Sequence, residues 1–209
     1  MHREAYYVVK EMEFWKAFVR GISAPKVPIL PYVPERRALP ARMVSVPSAW
    51  KGIESVLEDV IQRFNISTQR CLEFGVEYGY STAALSSFFD TVTGVDLFVG
   101  DKHTVDRTDI YSDTLKRLSP FHNIQLVRSD YRDWIAKDNS FYGLIHVDIV
   151  HTYLDTFHCG RWSAQHAHCV LFHDTLSFPT VKQAVIDVAR QTGKRFYHFR
   201  ESHGLGILV

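Results

Sequence analysis

No stretch of this 209-residue chain approaches the roughly 18 consecutive apolar residues of a membrane-spanning helix, so no membrane partner is expected. The N-terminus, Met1-His2-Arg3-Glu4, lacks the apolar core of a secretory signal, which makes a cytoplasmic protein the expectation. There is no basic tail and no block of like charge. With 24 Lys and Arg against 23 Asp and Glu, the formal net charge is +1, and a nucleic-acid partner gets no electrostatic support. Cysteine is scarce: Cys71, Cys159 and Cys169 are too few and too scattered for a disulfide framework. Cys71 and Cys169 lie in apolar, strand-like runs that suit buried, reduced thiols. Internal repeats are absent as well.

Hydrophobic content of 46% and charged content of 22% are ordinary for a soluble globular chain, and the length suits one α/β domain with some decoration. Residues 3–20 set Tyr7, Met12, Phe14, Trp15, Phe18 and Val19 at roughly helical spacing, which predicts an amphipathic helix. Six of the eight prolines then fall between Pro25 and Pro47. Proline fixes φ and has no N–H to donate, so this stretch should run extended, partly as polyproline II, and be neither a regular helix nor a central strand. It reads as a strap across the surface, a lid over a site, or a contact in a homodimer.

From Ser48 the pattern becomes regular. Ser48 is placed to cap a helix over residues 49–64. Strands are predicted at 70–74, 91–97, 124–128, 142–149, 167–173, 194–200 and 205–209, and helices at 80–89, 108–119, 131–137, 152–165 and 179–191. Strands separated by helices imply a mostly parallel sheet with helices on both faces. Only Glu201–Gly204 separates the last two strands, a hairpin-length link that makes the final strand antiparallel.

The stretch Cys71-Leu72-Glu73-Phe74-Gly75-Val76-Glu77-Tyr78-Gly79-Tyr80-Ser81-Thr82 reads as strand, glycine turn and helix start. Such a turn brings backbone N–H groups close to whatever lies above it. The pattern Glu73-x-Gly75-x-x-x-Gly79 resembles motif I of the class I S-adenosylmethionine-dependent methyltransferases and departs from the dinucleotide fingerprint in its acid and its glycine spacing. The element order over residues 50–209 is similar to that family's Rossmann-like fold, a seven-stranded sheet whose last strand is antiparallel. Residues 49–209 then form the cofactor-binding domain, and 1–48 an N-terminal helix with a proline-rich segment.

In an open α/β sheet the ligand sits beyond the C-terminal strand ends. Strand 91–97 ends in Asp96-Leu97, a carboxylate that could accept from a ribose diol beside an apolar flank for adenine. Strand 124–128 leads to Asp130-Tyr131, an acceptor for the adenine amino group and a stacking face, although Asp130 is equally placed to cap the next helix. Glu73, Gly75, Gly79 and Ser81 complete the candidate cofactor set. Strands 142–149 and 167–173 lead to Asp148-Ile149-Val150-His151-Thr152-Tyr153 and His173-Asp174-Thr175. These resemble a bacterial small-molecule and sugar O-methyltransferase group and, more distantly, catechol-type O-methyltransferases. The resemblance implies Asp148 and Asp174 as ligands of Mg²⁺ or another divalent cation, with Asp148 and His151 catalytic and His151 the base. Val150 and Thr175 depart from the metal-binding pattern.

A hydroxyl acceptor must lose its proton to attack a sulfonium methyl, which calls for a base or a metal. His151 suits the base, or it makes a structural hydrogen bond at a helix start. His158, Cys159, His166, His168 and Cys169 match no structural-zinc spacing. The expectation is an S-adenosylmethionine-dependent O-methyltransferase of a small molecule or sugar. The alternatives are a non-catalytic S-adenosylmethionine-binding protein and an NAD-linked oxidoreductase.

Overall fold

The computed structural model of the chain describes residues 3–100 and 108–209, with side chains from Val9 onward in the first helix. The elements in chain order are α1 (Arg3–Ser23), β1 (Ile29–Pro31), a 3₁₀ turn (Ile53–Val56) running into α2 (Leu57–Arg63), β2 (Arg70–Phe74) and α3 (Tyr80–Leu85). They continue with β3 (Thr91–Asp96), α4 (Tyr111–Leu118), β4 (Ile124–Arg128), α5 (Tyr131–Ile135) and β5 (Tyr142–Val147). The chain closes with α6 (Tyr153–His166), β6 (Ala167–Phe172), α7 (Pro179–Thr192), β7 (Phe196–Phe199) and β8 (Leu205–Leu208).

The sheet order is β1-β7-β8-β6-β5-β2-β3-β4. β8 runs antiparallel to both β6 and β7, and the other pairs are parallel. Strands β2–β8 are the seven predicted ones. The eighth, β1, comes from the proline-rich stretch and pairs with β7 at the sheet edge, where a strand lacking donors on one side is tolerated.

The pleat sorts the core. Cys71, Leu144, Cys169 and Leu171 pack with α2 and α3 on one face. Leu72, Phe74, Ile145, Val147, Val170 and Phe172 pack with α6 and α7 on the other. All three cysteines are buried and free.

Two expectations need correction. The helix predicted over 49–64 begins only at the 3₁₀ turn. Ser48 Oγ accepts from Trp50 N at 3.1 Å, but the chain then turns at Gly52, whose N–H is held by Glu54 Oε2 at 2.6 Å. Trp50 is thereby turned inward and buried.

The second concerns α1, a helix as predicted but docked through a different face. Lys10 and Ala17 are buried against α6 and α7, while Met12, Trp15, Phe18 and Val19 are 52%, 58%, 47% and 61% exposed. A buried ion pair from Lys10 to Asp155 sets this orientation. Tyr7's side chain lies outside the described part. No helix among the described residues is long and apolar enough to cross a membrane.

The proline-rich segment is pinned along its length. Asp59 accepts from Tyr32 Oη and from the backbone N–H groups of Glu35 and Arg36, the latter two at 3.1 and 3.2 Å. Arg37 pairs with Glu201, and Arg42 Nη1 reaches Ser86 O and Asn123 Oδ1 at 3.1 and 2.6 Å. The segment so held delivers Pro47–Trp50 to the carboxyl edge of the sheet.

Candidate active site

β2 neighbours β3 on one side and β5 on the other, so the chain's direction of winding reverses there and a crevice opens above their C-terminal ends. It holds a cavity of about 740 Å³. Gly75, Val76, Ser81, Asp96, Leu97, Asp130 and Tyr131 line one part, and Asp148, His151, His173 and Asp174 line another.

Gly75 is essential to the geometry. Its φ is +89°, and a Cβ there would lie 1.7 Å from Asp148 O. Gly75 N donates to Val95 O at 3.0 Å and Asp148 N to Phe74 O at 2.8 Å, so the three strand ends meet at this point. Gly79 also has positive φ, +83°, but its missing Cβ faces Leu118 Cδ1 at 2.7 Å. It is absent from the cavity wall. The Leu118 contact serves the packing of α3 on α4.

Glu73 is likewise not among the residues that line the cavity. It is fully buried outside the cavity, with Oε2 accepting from Thr82 Oγ1 and Oε1 2.9 Å from His146 Nδ1. Register explains the second contact, since Glu73 and His146 are directly paired across β2 and β5. Trp50 Nε1, a donor only, gives its proton to His146 Nε2 at 3.1 Å. The His146 ring thus bridges Trp50 and Glu73. The motif acid anchors a cavity-lining tryptophan.

Asp96 reaches the cavity, but its carboxylate is largely spoken for. Oδ2 accepts from Val76 N and Glu77 N at 2.7 and 2.9 Å, and Oδ1 from Phe98 N at 2.7 Å. Of about four acceptor sites on a carboxylate, roughly one remains for a ligand. The same bonds use up two amides of the glycine turn. Leu97 is 46% exposed at the rim, whereas Phe98 is buried.

Asp130 caps α5, accepting from Arg132 N at 2.8 Å, and its carboxylate is also held by Arg132 Nη1 at 3.0 Å. Tyr131 donates its hydroxyl to Asp155 Oδ1 at 2.9 Å, and the Arg132 guanidinium covers one face of its ring at 4.6 Å.

At the other end, His151 Nε2 lies 2.9 Å from Asp174 Oδ2 and 3.6 Å from Asp148 Oδ1. Its ring stacks on Phe178 with centroids 4.1 Å apart. His173 is 2% exposed, with Nδ1 3.1 Å from Asp148 Oδ2 and Nε2 3.2 Å from Ser202 O. A carboxylate and a carbonyl both accept, so both ring nitrogens are placed to donate; burial opposes the charged imidazole, but Asp148 outweighs it and raises His173 above its ordinary range. Burial opposes ionisation of Asp148, but the charge on His173 and hydrogen bonds from His151 and His173 hold it well below the usual carboxylate range. Burial likewise disfavours protonated His151, yet Asp148 and Asp174 outweigh it and lift the imidazole to about 9. The ordinary near-neutral titration assumed for a base at His151 is corrected accordingly. Asp174 holds a φ of +62°, a strained backbone for a non-glycine residue, of the kind that clusters at functional sites.

Donor atoms of Asp148, His151 and Asp174 lie within 4.8 Å of one another, which fits a divalent cation in donor type. Thr175 does not join them, being buried with Oγ1 on His198 Nε2 at 3.0 Å. Sequence reasoning missed Ser48, Trp50, Arg132, Ser177, Phe178 and His203, all of which line the cavity. Phe178 and Ser177 were accessible, since they directly precede Pro179 at a helix start. Trp50 and His203 carry no local signal.

No protein-family profile matches this sequence, and no curated protein sequence does. The likenesses are structural. A protein provisionally named an O-methyltransferase, from Klebsiella pneumoniae, aligns at TM-score 0.57 and 13% identity over 79% of this chain and 82% of its own. An O-methyltransferase from Bacillus cereus, solved with S-adenosylhomocysteine, aligns at TM-score 0.53 and 15% identity over 82% and 84%. The fold is that of the S-adenosylmethionine-dependent methyltransferases. It does not by itself fix the acceptor, since a provisionally named rRNA methylase from Clostridium thermocellum aligns at TM-score 0.54 and 13% identity over 79% and 98%.

Proposed function

We propose that this chain is an S-adenosylmethionine-dependent methyltransferase acting on a hydroxyl of a small molecule or sugar. The observation that supports this most is that one cavity joins the Gly75 turn and Asp96 to the cluster of Asp148, His151 and Asp174. In this reading Gly75, Ser81, Asp96, Leu97, Asp130 and Tyr131 hold the cofactor. Leu97 gives adenine an apolar flank, and Asp130 accepts from its amino group.

The acceptor hydroxyl attacks the sulfonium methyl in line. The S–CH₃ bond breaks as the O–CH₃ bond forms, sulfur keeps the electron pair, and the hydroxyl proton passes to neutral His151 Nε2. Asp148 and Asp174 stabilise the imidazolium that results. Phe178, stacked on the ring, fixes its plane. A divalent cation held by Asp148 and Asp174 would lower the acceptor's pKa. An imidazole that ligates such a cation through Nε2 cannot also take the proton there. Residues 1–48 act as a strap that carries Trp50 to the cavity wall, and the protein works in the cytoplasm.

Incubation with S-adenosylmethionine labelled in its methyl group and a panel of phenols, catechols and free sugars tests the reading. Transfer of label to an oxygen of a panel member supports it. Failure of every acceptor, with cofactor bound, favours a non-catalytic cofactor-binding protein. If EDTA lowers transfer and Mg²⁺ restores it, the two carboxylates hold the cation; an indifferent rate leaves His151 to act without one.

A further inference from the structure

Asp155, on the first turn of α6, is 2% exposed and outside the reaction described above. Thr152 Oγ1 donates to its Oδ2 at 2.5 Å and Tyr131 Oη to its Oδ1 at 2.9 Å. Two cations also reach it, Lys10 from α1 and Arg132 from α5. Tyr131 and Arg132 both line the cavity. Asp155 therefore stands directly behind the wall assigned to adenine, with the N-terminal helix attached to its other side.

Arg132 is shared. One Nη serves buried Asp155, and the other lies 3.0 Å from Oδ2 of Asp130 at the cavity rim. A carboxylate removed from water needs its charge met nearby. With α1 docked, Lys10 meets part of that need, and Arg132 can keep one edge on Asp130. Without Lys10, the buried carboxylate would be left to the Arg132 guanidinium, which now also serves Asp130 and covers the Tyr131 ring.

We propose that Lys10 and Asp155 are positioning residues for the adenine end of the cavity, so that docking of α1 and binding of cofactor favour each other. This rests on the cofactor reading given above. Coupling between two binding events is reciprocal, so each side has its own readout. On the cofactor side, Lys10→Met should weaken S-adenosylhomocysteine binding about tenfold in calorimetric titration, within the usual range of such couplings. Lys10→Arg, which keeps the charge, should recover most of the loss. Lys16→Met is the control, because Lys16 is exposed and its ion-pair partner, Glu13, lies on the same helix. It should bind like the unaltered chain.

On the helix side, saturating S-adenosylhomocysteine should slow amide hydrogen exchange in residues 9–23 of the unaltered chain by a factor similar to the affinity ratio. Ligand stabilisation of the whole fold acts on every element alike, so the slowing in α1 should exceed that in α2 and should be lost in Lys10→Met at saturating ligand. Unchanged affinity in Lys10→Met, or exchange in α1 that ignores the ligand, would overturn the coupling while leaving the cofactor site intact. If the unaltered chain fails to bind S-adenosylhomocysteine at all, the functional reading itself falls and the coupling with it.

Discussion

Replacing His151 by alanine is expected to lower kcat for methyl transfer by about 10²- to 10⁴-fold, the usual contribution of a positioned base, and to leave S-adenosylhomocysteine affinity within about twofold. The separation of effects follows from position. His151 sits among Asp148, Asp174 and Phe178, whereas the turn and Asp96 are held by their own hydrogen bonds. The same residue dictates a pH profile. Its imidazole is held up to about 9 by the two carboxylates, so it is charged at neutral pH and cannot accept a proton. Loss of the proton as pH rises exposes the base, and kcat/KM should climb through neutral pH and level off above about 9. An activity that is flat across this range, or an alanine variant at full rate, would remove His151 as the base.

Gly75→Ala is expected to cost the fold as well as the site. A methyl group there would have to occupy space 1.7 Å from Asp148 O, at a φ of +89°. The neighbour is backbone just past the end of β5, held in place by the bond from Asp148 N to Phe74 O, and cannot rotate away. Left-handed strain of roughly 1–2 kcal/mol and overpacking of about 1–3 kcal/mol together predict a loss of about 2–5 kcal/mol. For a chain of this size that corresponds to a fall in Tm of about 5–15 °C. Because Gly75 itself lines the part of the cavity assigned to the cofactor, S-adenosylhomocysteine binding should drop about a hundredfold or more, as for close-packed sites displaced by an ångström. Gly193→Ala is the internal comparison: φ is +73°, yet nothing lies within 4 Å of the new Cβ. It should show only the conformational penalty and bind normally. Calorimetry of unfolding and titration of both variants checks the pair, and a Gly75→Ala protein as stable as Gly193→Ala would contradict the packing.

Much of the fold was legible because it rests on alternation. Short apolar runs between amphipathic segments fixed seven strands, and the brief Glu201–Gly204 link fixed the antiparallel β8. β1 was hidden because a three-residue edge strand between prolines has no pattern to show. The face of α1 was misread for a physical reason: the buried Lys10–Asp155 pair outweighs the aromatic stripe in orienting the helix.

At the site, the strand ends led to Asp96, Asp130, Asp148 and Asp174, all of which line the cavity, because position beyond a parallel strand is set by topology. What each side chain does there depends on neighbours distant in sequence. Glu73 pairs with His146, 73 positions away, and never reaches the cavity. Asp96 is occupied by the amides of the turn, and Gly79 packs on Leu118 rather than on ligand space. The charge on His151 likewise comes from carboxylates on two separate strand ends.

The proposed function stands on binding of S-adenosylmethionine in the cavity above Gly75 and Asp96. Calorimetric titration of the purified chain with S-adenosylhomocysteine, and separately with NAD⁺, tests it most directly. Saturable one-to-one binding of S-adenosylhomocysteine and none of NAD⁺ is expected. Binding of NAD⁺ alone, or of neither, would contradict it.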